Sequence, residues 1–126
     1  MKSSRLLIMT LGLLMISARM FAHHNGGAIY DKSQQVSFTG TVTKYDFVNP
    51  HIRIHFDVKD DNGVVSNWVA ESAPPQRVYR TGFNKDSLKL GDKIVVTGHP
   101  SKTGKKWLSV LKLVAPDGKT LSAGAD

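Results

Sequence analysis

The chain has 126 residues, a formal net charge of +7, one glutamate (Glu71) and no cysteine. The missing cysteines exclude disulfides, thiolate ligands, a cysteine nucleophile and a lipoprotein anchor, which leaves His, Asp and Glu as metal-ligating side chains. The basic charge argues little for an acidic partner, because Lys2, Arg5 and Arg19 lie in what reads as an export leader.

In that leader, Lys2 and Arg5 form a positive start and Leu6 to Ile16 an apolar stretch interrupted by Thr10 and Gly12. A short end segment follows, closing at Ala22. The apolar stretch of eleven residues is well short of the about 20 needed to cross a bilayer. The expectation is a signal peptide over residues 1–22 that is cleaved, giving a periplasmic or secreted protein with no membrane anchor. Met20 and Arg19 are atypical of a cleavage site. Cleavage after Ala22 would leave 104 residues with a net charge of +4, the size of one domain with one core. Lys102, Lys105 and Lys106 are the one basic cluster beyond the leader, and read as solvated surface.

Residues 23–35 are polar and contain Asn25-Gly26-Gly27, so they read as a flexible N-terminal segment, with Ile29-Tyr30 as an anchor onto the core. From Val36 the pattern has period two: Val36, Phe38, Gly40, Val42 and Lys44 alternate with Ser37, Thr39, Thr41 and Thr43. That predicts a long first strand with a bend or bulge at Gly40. Asn49-Pro50 ends it. A second strand follows, with Ile52, Ile54, Phe56 and Val58 on one face and His51, Arg53, His55 and Asp57 on the other.

Asp60-Asp61-Asn62-Gly63 signals a hairpin turn, and Val64 to Glu71, with Trp68, a third strand. Pro74-Pro75 opens a short helix over Gln76 to Thr81, ended by Gly82. Lys93 to His99 and Trp107 to Ala115 are the fourth and fifth strands, separated by a turn at Ser101 to Lys106. Pro116-Asp117-Gly118 then turns into a tail over Leu121 to Asp126. Five strands with a helix between the third and fourth is the element order of an OB-type barrel. The expected fold is therefore all-β with one short helix, a small five-stranded OB-like β-barrel over residues 36–126.

The chemistry points to metal. Cleavage after Ala22 would make His23 the first residue, and its free α-amine and imidazole can chelate one ion together, with His24 beside them. Both arrangements suit copper(II), which takes tetragonal nitrogen sites; zinc is the alternative. Against this, two exposed histidines can simply be a polar N-terminus. His51, directly after Pro50, is the next candidate, since Pro50 restricts the backbone at the mouth of the second strand. His55 shares that face and is a secondary candidate for the same ion, although a polar strand face gives this pattern without function. His99 reads as an ordinary surface histidine.

Glu71 closes the third strand. With the hairpin centred near Asn62, His51 and Glu71 become near cross-strand neighbours. Glu71 can then ligate the metal, hydrogen-bond the far nitrogen of His51, or pair with Arg77 or Arg80. Catalytic signatures are missing: there is no Gly-x-Ser-x-Gly, no phosphate-cradling loop and no His-Glu-x-x-His. Trp68, Trp107, Phe38, Phe56 and Tyr45 can in principle stack on single-stranded nucleic acid, but an export leader argues against such a partner. A small ligand or another envelope protein is the alternative to a metal ion.

Ala22-His23-His24, Gly40-Thr41-Val42, Asn49-Pro50-His51, Trp68 with Glu71, Leu88-x-x-Gly91-Asp92, Val96-Thr97-Gly98, and Asp117-Gly118 followed by Ala123-Gly124 together resemble a bacterial exported family of unknown function, domain-of-unknown-function family 6152. Its members start the mature chain with His-His-Ser and carry Asn-Pro-His; this chain has Asn25 where serine is usual. The resemblance implies a small secreted or periplasmic β-barrel and brings no established activity.

Overall fold

The computed structural model describes residues 29–122. The expected leader and the His23-His24 pair lie outside these residues. The first strand, β1 (Val36–Asp46), forms as the alternation predicts, and it serves two neighbours. Its first half, Val36 to Thr41, pairs antiparallel with β4 (Lys93–Pro100), and its second half, Thr41 to Asp46, pairs with β2 (Arg53–Lys59). The hairpin continues from β2 into β3 (Val65–Glu71), and β4 pairs antiparallel with β5 (Trp107–Val114). The ring closes where β3 and β5 run parallel, Val69 opposite Trp107 and Glu71 opposite Ser109. The order β1-β2-β3-β5-β4 back to β1 is a closed five-stranded barrel of the OB type.

Gly40 does not carry the bulge. The register slips between Val42 and Lys44, so the extra residue is Thr43, and Lys44 turns outward opposite His55 instead of inward with Val42. Gly40 is demanded by contact instead: a β-carbon there would lie 2.6 Å from Phe56 Cδ2 and 2.7 Å from the Asp57 carbonyl oxygen. Two strands can cross this closely only without a side chain.

The short helix α1 (Pro75–Val78) continues as a 3-10 turn, Tyr79–Thr81, and ends at Gly82 in the left-handed conformation (φ 83°). It carries Val78, and the chain just after it Phe83, into the core, where both are essentially fully buried. Around them Ile52, Ile54, Phe56, Ile94, Leu108 and Leu113 fill the barrel, each at most 1% exposed. Burying one such side chain contributes roughly 1.5–3 kcal/mol.

Two features go beyond the five-strand reading. The expected tail contains a sixth strand, β6 (Thr120–Ser122), paired with Lys112 to Val114 of β5, and Leu121 is fully buried. Only one apolar residue marks it, too little for a period to register. At the other end, Tyr30 bridges to Ser101, Asp31 donates its backbone N–H to the Pro100 carbonyl, and Lys102 donates to that of Ile29. The described part of the N-terminal segment is thus tied to the end of β4. Tyr30 is the anchor, whereas Ile29 is 52% exposed.

Candidate functional site on the outer face of the second and third strands

Alternation puts Ile52, Ile54 and Phe56 inside the barrel and leaves His51, Arg53, His55 and Asp57 facing out. The hairpin register then decides what each outward group meets. Lys59 pairs with Val65 and Arg53 with Glu71, which centres the turn on Asn62. That centre makes Arg53, not His51, the residue across from Glu71. His51 lies two positions further out, just before β2 begins, beside Ser72.

His51 is exposed, with its ring Nδ1 3.2 Å from the Ser72 carbonyl oxygen. A carbonyl only accepts, so in the neutral form of the ring this contact puts the hydrogen on Nδ1 and leaves the lone pair on Nε2. The Asn49–Pro50 peptide immediately before it is cis. His55 cannot share an ion with His51, because four residues of extended chain separate them by about 13 Å. It faces Asp46 instead: its Nε2 lies 3.8 Å from Asp46 Oδ2, the oxygen that Lys44 holds at 2.7 Å. His99 is fixed in another place, its Nδ1 2.6 Å from the Gln34 carbonyl.

Glu71 has both carboxylate oxygens engaged. Arg53 Nε donates to Oε2 at 3.3 Å, and the Tyr30 hydroxyl donates to Oε1 at 3.4 Å. Of the three roles open to Glu71, the structure shows an ion pair, and its partner is Arg53. The Arg53 guanidinium also sits over the Trp107 ring, 5.5 Å from its centroid, a cation–π contact in the usual range. Burial, and then the neighbouring Glu71 carboxylate, push the Tyr30 phenol well above the ordinary tyrosine range.

Arg53, Tyr30 and Trp107 therefore belong to this face although the motifs did not single out Arg53 or assign Tyr30 a polar role. Centring the turn on Asn62 itself would have found Arg53. Trp107 reaches the site through the parallel β3–β5 pairing, which leaves no local trace in sequence. The other aromatics are committed elsewhere. Phe56 is fully buried, Phe38 and Trp68 pack on one another with centroids 4.4 Å apart, and Tyr45 donates to the Asn84 carbonyl. They do not form one open stacking platform.

Among the described residues no three His, Asp or Glu side chains converge as a set that could hold a metal ion. Among the same residues no helix is long and apolar enough to cross a membrane.

Residues 11–108 match a family described as being of unknown function, DUF6152, and the chain belongs to that family. No curated protein matches it. Among solved structures it is similar to one of yeast Stn1 and Ten1, at 12% sequence identity and a TM-score of 0.43. That similarity covers 64% of this chain and 42% of the other.

Proposed function

We propose that this DUF6152 protein is a non-catalytic barrel of the cell envelope that binds a transition metal ion, copper first and zinc second, through its processed N-terminus and His51. The observation that carries the reading is the Nδ1 contact of His51 with the Ser72 carbonyl. Metal-ligating histidines usually donate their other ring N–H to a carbonyl or carboxylate, which fixes the ring and leaves the second nitrogen ready to bind. His51 is exposed and has that arrangement. In this reading His23 supplies its amine and imidazole, and His24 or His51 supplies a further nitrogen. Glu71, whose carboxylate takes Arg53 and Tyr30, has an auxiliary role beside these ligands.

Copper(II) titration of the exported protein, followed by calorimetry and EPR, is the test. An added Met before His23 should weaken binding at least tenfold by removing the terminal chelate, and His51→Ala should weaken it less. Unchanged affinity in the variant with the added Met would sink the amine-chelation idea.

A second reading is a metal-free module that holds a small ligand or an envelope protein on this face. The stack of Arg53 on Trp107 favours it, because in OB-type barrels the face of the second and third strands, with its flanking loops, is the usual binding surface. Loss of partner binding in His51→Ala and Glu71→Ala, measured with a chelator present, would select this reading over the first.

A further inference from the structure

Arg53 is held more closely than the barrel requires. Its guanidinium lies over the Trp107 ring, 5.5 Å from the centroid, and its Nε donates to Glu71 at 3.3 Å. An unhindered carboxylate commonly takes an arginine by two parallel N–H bonds. Glu71 does not, because its other oxygen accepts from the Tyr30 hydroxyl. The guanidinium is therefore fixed at its root and across its face, while its terminal nitrogens have no hydrogen-bond acceptor among the described residues. The side chain is 46% exposed, and an ion pair so exposed contributes at most about 1 kcal/mol to stability. Stability alone does not account for it.

Two neighbours extend the patch. Lys105, two residues before Trp107 in the loop between β4 and β5, is exposed and makes no ion pair among the described residues. That loop is pinned to β3, since Val69 donates its backbone N–H to the Lys106 carbonyl. On the other side, His51 lies two residues from Arg53 along the extended chain, roughly 6.5–7 Å away. It is exposed, and its neutral ring leaves Nε2 free to accept.

We propose that this face binds an acidic saccharide. Arg53 takes its carboxylate or phosphate group with the terminal nitrogens, Lys105 adds positive charge, and His51 accepts from a sugar hydroxyl. The proposal rests on the metal-free reading above and names the ligand class for it. Arginine suits such a group because its planar fork matches two oxygens at once. The strands and loop involved are those with which OB-type barrels hold oligonucleotides and oligosaccharides. Single-stranded nucleic acid needs open aromatic faces on which to stack. Here Arg53 covers Trp107, while Phe38 and Trp68 pack on each other.

The test is calorimetric titration of the protein, with EDTA present, against trigalacturonate, maltotriose carrying one phosphate, neutral maltotriose and triglutamate. At least one acidic sugar should bind, and which one separates carboxylate from phosphate recognition. Arg53→Lys keeps the charge and loses the fork, and should weaken that binding about tenfold. Lys105→Gln should weaken it about threefold. A thermal midpoint for each variant checks that it is folded. If neither acidic sugar binds, or if folded Arg53→Lys binds them as wild type does, the proposal is wrong. Equal binding of neutral maltotriose, lost in His51→Ala, would keep the metal-free reading and remove the acidic group from it. Tighter binding of triglutamate than of either acidic sugar would overturn the saccharide and assign the face to an acidic peptide.

Discussion

Residues 52–57 present two faces built by different rules. Inward, Ile52, Ile54 and Phe56 are fully buried and depend only on being apolar at alternate positions. Outward, Arg53, His55 and Asp57 meet polar groups on neighbouring strands, Glu71, Asp46 and Asn67 respectively, and Arg53 also meets the Trp107 ring. An inward residue is set by the pleat of its own strand, so its place is readable locally. An outward pair is set by register between two strands, and a shift of two positions exchanges its members without moving any side chain across the sheet.

The contrast can be broken most forcefully from inside. Phe56→Ala removes a fully buried ring that also meets Gly40 where the strands cross, and should destabilise the fold by about 3–5 kcal/mol. Urea unfolding measures it; a loss below about 1 kcal/mol would mean that the barrel interior tolerates a large void there.

Ser72 sharpens the comparison, because it is a polar side chain on the buried side. It is 5% exposed, and its hydroxyl has no hydrogen-bond partner within the described structure. Ser72→Ala removes a desolvated, unpaired group and keeps the backbone carbonyl that holds His51, so it should raise stability by up to about 1 kcal/mol. A destabilisation of the same size, read from the same urea curves, would show that the hydroxyl has a partner.

The smallest effect lies outside, at Tyr30. Its pKa is raised by burial and by Glu71, so the unfolded chain loses this proton before the folded one does. The contribution of Tyr30 to stability is present below the unfolded value near 10 and is lost as pH climbs through the folded one. Thermal midpoints measured from pH 9 upward should fall more steeply in wild type than in Tyr30→Phe. Parallel curves would mean that the phenol is not held in its neutral form.

The same division explains what could be read before the structure. Period-two patterning, the Asp60-Asp61-Asn62-Gly63 turn and the Pro75-to-Gly82 helix are local signals, and they led to the five strands, the helix and the OB-like order. The sixth strand escaped because Thr120–Ser122 offers a single apolar residue. Thr43, rather than Gly40, absorbs the bulge because Gly40 is committed to the crossing with β2. Asn-Pro-His singles out His51 as a candidate, but not the group its ring meets. The carbonyl of Ser72 has no residue-type signature, and the link from Trp107 to Arg53 depends on strands 36 or more residues apart in the chain.

The β5 strand has one side given wholly to β4, while its other side is divided: residues 107–109 face β3, and 112–114 face β6. Closing the barrel therefore uses only the first part of that side. The remaining N–H and C=O groups would form an open template for strand addition by other copies of the chain. The three residues of β6, held by buried Leu121, occupy it. A chain shortened before Thr120 would lose the buried Leu121 side chain and leave residues 112–114 of β5 without their partner on that side.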